Sequence, residues 1–155
     1  MTIAALNETA TDQITRDQSV ILALIDRMKK ARYDKNPQSV AASYTPDAVI
    51  FSLAPPLVHH GIDIAATQTW FDTWDGPVEI EPRDFHITVS GDIAFCQGYM
   101  RLAGNKKGVD QPVSFWMRET LCLERDGNTW RIVHEHASVP FYLDGSLRPA
   151  FDLQP

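Results

Sequence analysis

Residues 113–138 read VSFWMRETLCLERDGNTWRIVHEHAS, and this stretch decides the architecture. Val113 to Glu124 reads as a long strand with apolar side chains on both of its alternating sets. Asp126-Gly127 follows, a dipeptide suited to the positive dihedrals of a tight hairpin, and Trp130 to Ala137 returns as a second strand. The two strands are expected to pair antiparallel. Leu121 and Leu123 fall on one face of the first strand, Trp116 and Cys122 on the other, so both faces carry apolar bulk and both need a cover.

Upstream the same period continues. Phe85, Ile87 and Val89 alternate with His86 and Thr88, Gly91-Asp92 marks a turn, and Ile93 to Leu102 reads as another strand before the polar loop Gly104–Gly108. Before Pro77 the period changes to that of helices. Val20, Ile21, Leu24, Ile25 and Met28 share one helical face, Thr15 with Gln18 fits a capping box, and Lys29, Lys30 and Arg32 lie where positive charge suits a helix C-terminus. This predicts a first helix from about Thr15 to Tyr33, preceded by a mobile arm over residues 1–14. Asn36-Pro37 starts a short helix to about Tyr44, which Pro46 stops; Ala48 to Leu53 reads as a strand that Ala54-Pro55-Pro56 breaks. Asp63 caps a third helix containing Trp70, Phe71 and Trp74, which Gly76-Pro77 ends.

Helices first and strands later predict an α+β fold: a strongly curved antiparallel β-sheet with N-terminal helices closing its concave face, one domain over residues 15–155, with an irregular tail from Pro140. Three helices cover only one face. The leftover apolar face is expected to meet a second copy, giving a homodimer through the outer side of the sheet.

Composition narrows the partners. The chain has 155 residues, 44% hydrophobic and 22% charged, with a formal charge of −6. An acidic surface argues against nucleic acid and against anionic membranes. No apolar run approaches the roughly 20 residues of a membrane span, and no secretory signal opens the chain, so a cytoplasmic protein is expected. Cys96 and Cys122 lie in apolar strand-like runs and read as reduced, buried residues.

The strongest chemical constellation is the end of the last strand. On an unbroken strand Trp130, Ile132, His134, His136 and Ser138 point the same way. Trp130 and Ile132 need a core, so the histidines would continue that row toward a pocket, with His136 as acid or base and His134 supporting it. The alternative is that both imidazoles only pack and hydrogen-bond. Arg101 and Arg118, interior to otherwise apolar strands, are expected either to hold a carboxylate or enolate in the pocket or to pair with glutamates on the surface. Thr120, Ser138, Tyr44, Trp70 and Trp116 complete the expected lining, although tyrosines and tryptophans at such positions also serve as core. His-X-His lacks a third ligand at metal-binding spacing, with His59-His60 in a loop and His86 on another strand; no metal is expected. No Gly-rich phosphate loop is present, and no cofactor is expected.

Several segments together resemble a known family. They are Tyr44-Thr-Pro-Asp-Ala-Val-Ile-Phe, Gly61 before a helix, Gly91-Asp-Ile-Ala, Arg118-Glu-Thr, Asp126-Gly, and Trp130-Arg-Ile-Val-His-Glu-His-Ala-Ser. The chain from about Thr15 to Pro140 is similar to the SnoaL-like, ketosteroid-isomerase-like group of the nuclear-transport-factor-2-like superfamily. The resemblance implies a cystatin-like half-barrel, a deep cone-shaped pocket and dimers. It does not imply one reaction, because the superfamily holds isomerases, cyclases and dehydratases alongside assembly modules. Ketosteroid isomerases use an aspartate base and a helical tyrosine, whose places fall here near Ser52 and Met28; their oxyanion acid would fall near Met117 to Glu119 without a clean match. A histidine base would have to replace that apparatus. A further similarity, to the association domain of calcium/calmodulin-dependent kinase, implies Arg101 and the Arg118–Thr120 strand as pocket groups. The expected function is a small-molecule pocket protein that carries out proton-transfer chemistry on a partly apolar ligand. The alternative is a non-catalytic dimerisation, assembly or ligand-binding domain.

Overall fold

The computed structural model describes the backbone from Ile3 to Pro155 and the side chains from Thr11 onward. Its elements are α1 (Ile3–Tyr33), α2 (Pro37–Ala41), β1 (Tyr44–Phe51), β2 (His59–His60), α3 (Ile64–Asp72), β3 (Trp74–Ser90), β4 (Ile93–Lys106), β5 (Val113–Asp126) and β6 (Thr129–Ser138). The strands form one six-stranded sheet in the order β2-β1-β6-β5-β4-β3. The sheet is curved and unclosed, and the fold is the expected α+β half-barrel. From β3 to β6 it is an antiparallel meander, but β1 lies parallel to β6.

α1 begins at Ile3 and takes in most of the segment expected to be an arm; Met1 and Thr2 lie outside the described residues. Thr15 is interior to the helix and its hydroxyl bonds back to the Thr11 carbonyl at 3.0 Å, so it caps nothing. The other helix starts follow local chemistry. Asn36 Oδ1 accepts from Ser39 N at 2.9 Å, and Asp63 Oδ1 accepts from Ala66 N at 2.9 Å. α2 ends at Ala41, and Pro46 sits within β1 rather than ending a helix.

α1 crosses the concave face and packs on β3 and β6. Ile21, Leu24, Ile25 and Met28 meet Leu121, Leu123, Trp130 and Ile132 in a core where none of these eight is more than 5% exposed. Each such side chain contributes about 1.5–3 kcal/mol by leaving water. A second apolar cluster of Met100, Met117 and Ala137 extends the concave surface.

Two of the four register shifts in the sheet bear on the site. In β3 the register shifts between Arg83 and His86, around Asp84 at φ 49°. The backbone of β3 there presses on Gly98 of β4, where a Cβ would come within 2.7 Å of the Asp84 carbonyl oxygen. Only glycine permits the bend. The other is in β6: Leu123 pairs with Ile132, but Cys122 pairs with His134, leaving Val133 as an extra residue. This bulge reverses the alternation of β6.

Candidate functional site

The reversal at Val133 decides which side chains face the concave side. Trp130 and Ile132 point into the core as expected, but beyond the bulge the inward positions belong to Glu135 and Ala137. His134, His136 and Ser138 point outward. This corrects the expected continuous row: the two imidazoles face away from the hollow. His134 Nδ1 lies 2.8 Å from the Val49 carbonyl oxygen and meets the Phe51 ring edge-on at 5.1 Å. His136 is exposed and meets the same ring edge-on at 5.6 Å.

The other expected site residues are scattered. Arg118 is exposed on the outer side and its Nε donates to Ser138 Oγ at 3.1 Å. Thr120 lies beside His136 in the same outer row. Trp116 Nε1 donates to Gln154 Oε1 at 2.9 Å, while Arg83 stacks on its ring and Phe151 packs on neighbouring Phe115. Trp70 packs between Phe71 and Trp74 at the edge of the core. Arg101 pairs with Glu81 at 2.6 Å on the rim of a surface groove. Only Tyr44 reaches the enclosed polar cluster.

That cluster is built by three elements. α1 supplies Arg32, one turn past Met28 on the same apolar stripe; β5 supplies Glu119, in the inward row of Met117 and Leu121; β6 supplies Glu135. Arg32 Nη2 donates to Tyr44 Oη at 3.2 Å, and Tyr44 Oη donates to Glu135 Oε2. Arg32 Nη1 is buried without a protein partner; among the described residues Trp74 Nε1 is the other such atom. Glu119 is 5% exposed. Burial, then the nearby Glu135 charge, hold the Glu119 carboxyl well above the usual carboxylate range, with Arg32 opposing. Burial thus favours the protonated form of Glu119, which can donate a hydrogen bond. Burial and the Glu135 charge likewise raise the Tyr44 phenol well above its ordinary value. Burial disfavours the Arg32 charge, but Tyr44 and Glu135 outweigh it and keep the guanidinium protonated.

Arg32, Glu119 and Glu135 border a small hollow of about 40 Å³, whose lining also includes Ile25, Met28, Lys29, Ile80, Met100 and Met117. Chemically it offers the Arg32 donor and the Glu119 carboxyl, whose protonated form burial favours, beside the Glu135 carboxylate. Sequence reading named none of the three as a site residue, although the resemblance put an oxyanion acid near Met117 to Glu119. Arg32 carried a signal, since positions 21, 25, 28 and 32 follow one helical stripe, but its place near a helix end suggested a surface charge. Glu119 also carried one, as a carboxylate alternating with Met117, Leu121 and Leu123. Glu135 carried none, because a bulge leaves no mark in composition.

Among the described residues no group of three or more histidine, cysteine or carboxylate side chains is arranged to hold a metal, and no helix is long and apolar enough to cross a membrane. Both cysteines are free; burial, then Cys122, pushes the Cys96 thiol up to about 12.

Comparison with known proteins agrees with this architecture. The SnoaL-like domain family matches residues 21–142. Proteins of curated function provide no match. A nuclear-transport-factor-2-like protein of unknown function from Pseudomonas putida KT2440 shares 27% identity over 88% of this chain and 95% of its own, with a TM-score of 0.76. A candidate scytalone dehydratase from Novosphingobium aromaticivorans DSM 12444 superimposes with a TM-score of 0.71 at 13% identity, covering 86% of this chain and 90% of its own. A candidate calcium/calmodulin-dependent protein kinase II association domain from Xanthomonas campestris gives 0.64 at 21% identity, covering 76% and 84%. With the family matching well over half of its length, the chain belongs to the SnoaL-like domain family of the nuclear-transport-factor-2-like superfamily.

Proposed function

We propose that the protein binds a small organic molecule through the hollow under α1 and moves a proton on it, in an isomerisation, dehydration or cyclisation. The observation that carries this reading is the Arg32 Nη1 group, buried without a partner beside Glu119. An unsatisfied buried donor costs about 1–3 kcal/mol, more when charged, and a ligand oxygen relieves that cost. In the proposed chemistry a ligand carbonyl oxygen accepts from Arg32 Nη1 and from Glu119. Glu135, oriented by Tyr44, takes a proton from the carbon next to the carbonyl while Glu119 passes its own proton to the oxygen, giving a neutral enol; Glu135 then returns its proton to another carbon while the enol hydroxyl gives its proton back to Glu119, which completes an isomerisation and restores both groups. The dehydratase named among the structural neighbours lends support to this class of reaction.

The test is native mass spectrometry after incubation with a mixed metabolite extract. Retention of a small molecule is expected to fall at least tenfold in Arg32→Lys and to be unchanged in His136→Ala. Loss in His136→Ala with retention in Arg32→Lys would return the site to the outer histidines and defeat this reading.

A specific observation also favours self-association. The outer side of the sheet exposes Phe51, Ile93, Phe95 and Tyr99, each at 38% or more. We propose that it pairs with the same surface of a second copy, in a cytoplasmic homodimer. Sedimentation should then give a dimer that Phe95→Glu converts to a monomer; a wild-type monomer at micromolar concentration would end this idea.

A further inference from the structure

The hollow is too small for the molecule it is built to hold. Ligand sites usually span roughly 300–1,000 Å³, whereas this hollow has about 40 Å³, room for one functional group. Immediately outside lies an open groove of about 440 Å³ between the C-terminal half of α1 and β3. Lys29 and Ile80 line both spaces, so they form the wall between them. Both are half-buried. Lys29 is tethered only to Asp26, across 3.6 Å, with more than a third of each side chain exposed. Such a surface pair is worth at most about 1 kcal/mol, so the lysine stem swings aside at little cost.

Charge decides what the two spaces accept. The groove presents three cations, Lys29, Lys30 and Arg101, and three anions, Asp26, Glu79 and Glu81, which cancel. Arg101 pairs with Glu81 and Lys30 with Asp34, so each of these cations already has a carboxylate beside it. Tyr33 and Ile80 supply the apolar surface. Inside, the one guanidinium, Arg32, already faces two carboxyl groups, Glu135 and Glu119. A carboxylate head would leave the hollow with a net buried charge, which is expensive, whereas a carbonyl head leaves it balanced.

We infer that the groove and the hollow are two compartments of one site, with Lys29 and Ile80 as the doorway: an uncharged organic body rests in the groove, its carbonyl oxygen passes between these two residues to Arg32 and Glu119, and carboxylates of the same shape are rejected. This rests on the proposed reading of the hollow as the ligand site. The doorway makes Lys29 a specificity residue rather than a surface charge.

The hollow carries its own reporters, since Met28, Met100 and Met117 border it and the chain has only four methionines. Protein labelled with ¹³C at the methionine methyl groups, assigned by Met→Leu variants, is titrated with acetophenone and, separately, with benzoate. Acetophenone is expected to shift the three reporters saturably, and benzoate to bind at least tenfold more weakly. Lys29→Trp and Ile80→Trp, which narrow the doorway from opposite sides, should each slow acetophenone exchange or weaken its binding at least fivefold. The first variant changes a half-exposed residue and is expected to fold even if the second does not. Equal or tighter benzoate binding overturns the charge argument. Unchanged acetophenone binding and exchange in Lys29→Trp overturns the doorway while leaving the hollow as the ligand site. No shift of any of the three methyl groups with either compound overturns the hollow itself.

Discussion

One helix carries two arginine–carboxylate networks, one near each end of the core, and they differ in completeness. Near its middle, Asp17 of α1 receives Arg125 Nη1 and Nη2 at 2.8 and 2.9 Å. The same guanidinium donates through Nε to Asp92 and through Nη2 to the Gly91 carbonyl, and it stacks on Trp130, whose indole also donates to Asp17. Every nitrogen has a partner. Fifteen residues on, about 22 Å along the axis, Arg32 leaves Nη1 without one and stands beside a carboxyl that burial pushes toward its protonated form. A saturated network locks a helix to a sheet. An unsaturated one stores an unmet demand for an oxygen, and such demands mark sites.

The comparison breaks hardest at Arg32. Arg32→Met removes the charge that balances Glu135 and should destabilise the fold by about 1–3 kcal/mol in urea titrations, because the half-buried carboxylate keeps only the Tyr44 hydroxyl as a partner. A loss below about 1 kcal/mol would mean that Glu135 is not held as a buried charge.

At the saturated end Asp17→Asn should cost about 2 kcal/mol, and its signature is in acid. Arg125 hydrogen bonds hold the Asp17 carboxyl down at about 2, against an ordinary 3.8. Its stabilisation is therefore complete above about pH 3.8 and lost as the pH falls through 2. The variant should lack that part of the acid limb, as read by circular dichroism.

Glu119 has the opposite sign. Its raised value means that the folded state holds a proton the unfolded chain gives up above about 4.5, so stability falls as the pH rises from there toward the folded value. Glu119→Gln mimics the neutral acid; at pH 7 it should change stability by less than about 1 kcal/mol and flatten that decline. A loss near 3 kcal/mol would show that Glu119 works as a paired anion.

The smallest effect is expected on the outer surface. His136→Ala should leave urea midpoints at neutral pH within about 0.5 kcal/mol of wild type, because the imidazole is exposed and has only Phe51 against it. A larger loss would place that histidine inside an interface.

The sequence by itself determined the class of fold. Period-2 patterning at residues 85–89, the Asp126-Gly127 turn, the caps at Asn36 and Asp63 and the apolar stripe of α1 are local signals, set by backbone sterics and by side chains that must leave water. It also put Leu121 and Leu123 on one face of β5 and Trp116 and Cys122 on the other, but its expected lining took Trp116 as inward, and the structure buries the leucine face instead. Only the tertiary structure decided which polar groups face the hollow. One extra residue, Val133, turns the histidines of β6 outward and Glu135 inward, and whether a strand bulges depends on pairing with a neighbour rather than on its own residues. Arg32 and Glu119 were visible as charges within apolar patterns. That they converge near Tyr44, and that burial raises the Glu119 carboxyl and leaves Arg32 short of a partner, follows from packing α1 across a bent sheet, which no stretch of chain encodes alone.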